Sequence, residues 1–128
     1  MTIEISGADV FLSMCLALFD EGFWLEGCRS LGNLLRKGDM IGGLLIAAAG
    51  ACGFNSLGVP TIRTRPDGAS DSVLLLDQAH LVVHALPERG ILVLDLFAPA
   101  HHDLGKALDV FTRRLNPTTV DVEPRKRG

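Results

Sequence analysis

A chain of 128 residues and 13.7 kDa is long enough for one packed domain and too short for two. With 48% hydrophobic and 21% charged residues it can fill a core, which excludes a disordered chain. A net charge of −3 and a pI near 5.7 exclude a general affinity for nucleic acid.

The opening Met-Thr-Ile-Glu-Ile lacks the basic flank of a signal peptide, so a cytoplasmic address is the expectation. Residues 8–20 carry apolar groups at helical spacing and contain neither Gly nor Pro, which predicts a helix with a wide buried stripe. That helix reads as an N-terminal extension, residues 1–22, ahead of a main domain at 23–128. Residues 23–25 are a short strand candidate, and 29–38 a loop. Asp39 is a candidate N-cap for a helix over 40–52, with Gly53 as its stop. This helix has almost no polar face and must lie on a sheet. At 41–52 the apolar run is well short of the ~20 residues that cross a bilayer, so no membrane span is expected.

Residues 56–65 read as an irregular strand containing Pro60, and Pro66-Asp67-Gly68 as a turn. The short apolar run 73–76 has the look of an internal strand. Residues 80–86 and 91–97 flank Pro87-Glu88-Arg89-Gly90, a hairpin signal. A helix over 104–115 ends at Asn116-Pro117, and 118–122 is a last strand. From residue 23 the order β-α-β-β-β-β-α-β predicts an α/β (α+β) fold: a two-layer sandwich, antiparallel-rich, with helices 40–52 and 104–115 on one face.

Strand alternation places His80, Val82 and His84 on one side of their strand and Leu81, Val83 and Ala85 on the other. A two-residue tip at Glu88-Arg89 would pair Leu86 with Ile91 and Val82 with Asp95. Asp95 then lies diagonally between the histidines, about 7 Å from each and within reach of at most one. A histidine beside a carboxylate suits acid–base work; a polar sheet face that happens to carry two histidines is the simpler account of the spacing. No metal site is expected, because His80 and His84 stand about 13 Å apart along a strand. His101-His102 reads as a surface turn. The three cysteines, Cys15, Cys28 and Cys52, make neither a disulfide framework nor a zinc site.

At this hairpin the chain resembles the small prokaryotic S-adenosylmethionine decarboxylases, which depend on a pyruvoyl group. The family pattern is Glu-Ser-His-Leu-x-Ile-His-Thr-Trp-Pro-Glu, then a strand ending Asp-Val-Phe-Thr-Cys-Gly. Here the residues are Gln78-Ala79-His80-Leu81-Val82-Val83-His84-Ala85-Leu86-Pro87-Glu88, then Asp95-Leu96-Phe97-Ala98-Pro99-Ala100. Gly27-Cys28, Ile46-Ala47-Ala48 with Gly50 and Gly53, and Pro66-Asp67-Gly68-Ala69-Ser70 resemble further family segments. The similarity covers about residues 23–128.

The departures bear on chemistry. In the family a serine hydroxyl attacks the preceding carbonyl, and elimination leaves the pyruvoyl group that serves as electron sink. The matching residue is Ala79, which has no hydroxyl, so no pyruvoyl cofactor is expected. Pro99 stands where the family has its cysteine acid, and Leu86 where it has tryptophan. Thr61-Ile62-Arg63-Thr64 replaces a Phe-His-x-Phe strand that would stack on an adenine. One residue more than the family pattern lies between Ser70 and Ala79, which predicts a shifted register or a bulge.

The resemblance leaves His84, His80 and Asp95 as candidate acid/base residues, and Glu88, Ser70 and Leu86 as candidate substrate contacts. Three functions are compatible with this set. One is a pseudoenzyme that binds a ligand or regulates a partner. Another is a repurposed, pyruvoyl-independent enzyme acting on another small molecule. The third is an S-adenosylmethionine-binding module. A homodimer, or a heteromer with an active paralogue, is the assembly the resemblance implies.

Overall fold

Alternation between apolar and polar residues in the second half of the chain builds one sheet, and two helices cover one face of it. The computed structural model describes residues 11–19, 38–55, 58–99, 102–117 and 119–127. Strands β1 (Phe11–Phe19), β2 (Thr61–Thr64), β3 (Ser70–Leu76), β4 (Ala79–Leu86), β5 (Ile91–Pro99) and β6 (Thr119–Arg127) lie side by side in the order β2-β3-β4-β5-β1-β6. Every neighbouring pair is antiparallel. Helix α1 (Gly38–Ala51) precedes β2, and helix α2 (Gly105–Leu115) precedes β6.

The core is the layer between helices and sheet. Ile41, Leu44, Leu45, Ala48 and Ala49 of α1 recur at helical spacing and pack with Ala107, Phe111 and Leu115 of α2. From the sheet they meet Leu74 of β3, Leu81, Val83 and Ala85 of β4, and Leu92, Leu94, Leu96 and Ala98 of β5. Both helices therefore lie on one face, as the apolar run of α1 requires. Gly42 brings α1 close to β2: a Cβ there would stand 3.1 Å from Ile62 Cδ1.

Asp39 lies inside the first turn of α1 rather than capping it, where its carboxylate favours the positive end of the helix dipole. The other end is as the sequence predicts. Gly53 has φ +94°, its N–H reaches the Gly50 carbonyl at 3.0 Å, and the Phe54 N–H reaches the Ala49 carbonyl at 2.9 Å. This is the Schellman arrangement, and a left-handed residue is needed to close it.

The helix expected over residues 8–20 is instead strand β1, and it lies inside the sheet between β5 and β6. Leu, Met and Ala have good helix propensity, but pairing on both sides decides the outcome. Counted by twos, Leu12, Met14, Leu16 and Leu18 form an unbroken apolar series. These positions stand opposite Ala98, Leu96, Leu94 and Leu92, the buried series of β5. The expected strand at 23–25 and most of the loop at 29–38 lie outside the described residues.

Of the shifted register or bulge expected between Ser70 and Ala79, the bulge is absent. The β3–β4 ladder runs unbroken from Ser70↔Ala85 to Leu76↔Ala79 and turns tightly through Asp77 and Gln78. Gln78 sits at φ +56°, a left-handed conformation that disfavours any residue with a Cβ. Gln78→Gly is therefore expected to stabilise the fold by about 0.5–1 kcal/mol, the relief exceeding the added backbone entropy. A urea-unfolding midpoint that moves down would contradict this account of the turn.

Candidate functional site

The β4–β5 hairpin has the register its spacing predicts, with Leu86 opposite Ile91 and Val82 opposite Asp95. Burial follows the alternation. Leu81, Val83 and Ala85 are buried under the helices, while His80, Val82 and Leu86 are half-buried and His84 is exposed on the open face. Asp95 reaches only one histidine: its Oδ2 is 3.9 Å from Nε2 of His80, beyond hydrogen-bond range. The His80 ring instead stacks on its cross-strand partner Phe97, with centroids 5.3 Å apart and planes 12° from parallel.

His84 has a different carboxylate partner. Nδ1 of His84 donates to Asp71 Oδ1 at 2.8 Å, and the Arg65 guanidinium donates to Asp71 Oδ2 at 2.6 Å. Asp71 and His84 are direct partners across the β3–β4 ladder, so the contact follows from the register. The hydrogen bonds from His84 and from Arg65 hold the Asp71 carboxyl below the usual carboxylate range. Asp71 was not among the residues expected from the sequence. It becomes legible once a tight turn is placed at Asp77-Gln78, because position 71 then falls opposite 84.

The other expected residues do not join this group. Ser70 points into the core layer opposite Ala85, and its hydroxyl has no hydrogen-bond partner among the described residues. It is on the far face from His84, so the structure does not bring this candidate substrate contact together with the histidines. Alternation explains the separation: Ser70 and Asp71 are neighbours in sequence and therefore face opposite ways. Leu86 and Glu88 lie at the hairpin tip, where they line a cavity of about 80 Å3 with Asp67, Ala69, Pro87 and Arg89. Glu88 belongs to the short 3-10 turn Pro87–Arg89.

Ala79 is also on the core side and is only 8% exposed. The residues around it open a second cavity of about 270 Å3 at the sheet end, lined by Gly53, Phe54, Asn55, Asp77, Gln78, Pro99 and His102. His102 is half-buried rather than a surface feature. Its ring stacks on Phe54 with centroids 3.8 Å apart, and its Nδ1 donates to the Cys52 carbonyl at 2.7 Å. Those contacts tie the loop before α2 to the end of α1. Cys52 is buried, and burial pushes its thiol up, away from nucleophilic use. Among the described residues no three His, Cys, Asp or Glu side chains are grouped so as to hold a metal ion.

Known proteins share this architecture. A family model described as S-adenosylmethionine decarboxylase matches residues 24–128. The S-adenosylmethionine decarboxylase proenzyme of Brevibacillus brevis is 32% identical over 97 residues, covering 75% of this chain and 72% of that protein. A proenzyme of the same name from Methanococcus maripaludis is 30% identical over 105 residues, covering 81% and 84%. The crystal structure of the adenosylmethionine decarboxylase from Aquifex aeolicus superimposes with a TM-score of 0.75 at 20% identity, over 93% of this chain and 91% of that one.

Proposed function

The chain belongs to the S-adenosylmethionine decarboxylase family, and we propose that it is a member that does not process itself and serves as a ligand-binding or regulatory partner subunit. The observation that carries this reading is Ala79. It stands where the family pattern has the serine whose hydroxyl must attack the preceding carbonyl, and a methyl group supplies neither nucleophile nor leaving oxygen. The residues present therefore do not fit a pyruvoyl group formed in this chain. Pro99, in the place of the family cysteine, offers no thiol to protonate a carbanion.

Association is part of the same reading. The open sheet face carries Val73, Val82, Ile91 and Val93, all half-buried, together with Leu75, which is 71% exposed. A second copy laid on that face, or an active paralogue, would cover it. The ligand, on this reading, is a small molecule rather than a nucleic acid. The assignment to the cytoplasm belongs to the proposal; among the described residues no helix is long and apolar enough to cross a membrane.

Mass spectrometry tests both halves of the proposal. Under denaturing conditions a single 13.7 kDa chain is expected, and under native conditions an assembly of at least twice that mass. Two fragments joined in sequence at Gln78 and Ala79 would overturn the argument from the missing hydroxyl. A chain that stays monomeric at micromolar concentration, with no partner co-purifying, would remove the subunit role.

A second reading is favoured by one contact, the 2.8 Å pair of His84 and Asp71. It makes the protein a repurposed enzyme in which His84 is the general acid/base, with His80 and Asp95 as a weaker neighbouring pair.

A further inference from the structure

Three side chains from three segments meet on the open face around Asp71. Arg65 comes from the β2–β3 turn, Asp71 from β3 and His84 from β4. Each carboxylate oxygen of Asp71 has its own cationic or N–H partner, at 2.6 and 2.8 Å. A carboxylate held at both oxygens cannot rotate away, and as an ion it can only accept. The nitrogen facing it, Nδ1 of His84, must then carry a proton whenever the ring is neutral. The lone pair is left on Nε2, on the other side of the ring. His84 is about half exposed, with a relative side-chain accessibility of 50%, so that nitrogen belongs to a ring open to the face.

We infer that Asp71 is a positioning residue, anchored by Arg65, that fixes the tautomer of His84 so that Nε2 is the acceptor on the open sheet face. The floor beside the ring is apolar. Val93 lies directly across from His84 on β5, and Val82 and Leu86 flank it along β4. A site of this composition suits a small molecule with an apolar body and an O–H or N–H donor, the donor meeting Nε2 and the body lying on the valines, between the two sheets where a second copy covers the face as proposed above. The inference does not depend on whether Ala79 bars processing. Failure of one therefore leaves the other standing.

Histidine-selective 15N NMR of the full chain reads the tautomer directly, at alkaline pH where imidazoles are neutral. The four histidines are separated by assigning the signal lost in His84→Gln. In the unaltered protein the His84 signal is expected to show a protonated Nδ1 and a bare Nε2. Asp71→Ala should raise the Nε2-protonated population, Asp71→Glu should return part of the original signal, and Arg65→Gln should shift it more weakly in the same direction as Asp71→Ala. A neutral His84 protonated at Nε2 in the unaltered protein, or a tautomer indifferent to Asp71→Ala, would overturn the inference. The first of these needs no variant to fold.

Discussion

Incubated with S-adenosylmethionine, the purified protein is expected to release no carbon dioxide above a protein-free blank. Loss of a carboxylate from the substrate leaves an electron pair on carbon, and the reaction proceeds at a useful rate only where a group can hold that pair. In this family the group is made from a serine, and the chain proposed here to lack it has Ala79 in that position. Restoring the hydroxyl by Ala79→Ser is expected to leave the assay at background as well. The new hydroxyl would enter a position only 8% exposed, on the helix-covered side of β4, whereas His84 faces the opposite way. Pro99 would still offer no acid. Release of labelled carbon dioxide in proportion to protein from the unaltered chain would sink the non-processing proposal; release from the Ala79→Ser version alone would narrow it to that one residue.

Phe111→Ala is expected to cost about 3–5 kcal/mol, the range for deleting a large buried aromatic. Phe111 is 0% exposed and holds α2 against α1 and the sheet, within one cluster that includes Ile41, Leu45 and Leu94. A cost of that size removes a large part of the 5–15 kcal/mol that about a hundred residues generally provide. It should lower the thermal midpoint by about 10–20 °C for a domain of this length. Val59→Ala is the control, since Val59 is 84% exposed and a change there should stay within about 0.5 kcal/mol. Comparable midpoints for the two variants, measured by circular dichroism, would mean that α2 is not packed as described.

The second half of the chain was legible because its strands alternate and its turns carry their own chemistry. Pro66-Asp67-Gly68 closes the β2–β3 hairpin, with Asp67 Oδ1 accepting from the Ala69 N–H at 2.9 Å. Pro87 to Gly90 sets the β4–β5 register so closely that the pairing of Val82 with Asp95 could be counted from the sequence. Strand β1 was hidden for a physical reason. Its residues favour a helix locally, and only the vacancy between β5 and β6, a property of the assembled sheet, selects the extended form. The site was half legible for a similar reason. The histidines could be placed on one face by parity, but their carboxylates depended on cross-strand register. His80 took the weak contact with Asp95 that counting allowed, while His84 found Asp71 through a ladder whose extra residue had suggested a bulge. Ser70 follows a family motif, and its inward direction depends on the strand parity that the β3–β4 register sets.

The strand order also determines how such a sheet avoids growing. Among the described residues its two outermost members are β2 and β6, each with one row of backbone N–H and C=O groups that pairs with no other described strand. Strand β2 is only four residues long, too short to template a stable partner. Strand β6 is longer, but it carries Asp121 and Glu123, then Pro124 with no N–H to donate, then Arg125, Lys126 and Arg127. Charges and proline on a border strand discourage an incoming chain from zipping onto it, so among the described strands both borders work against open-ended fibrillar stacking.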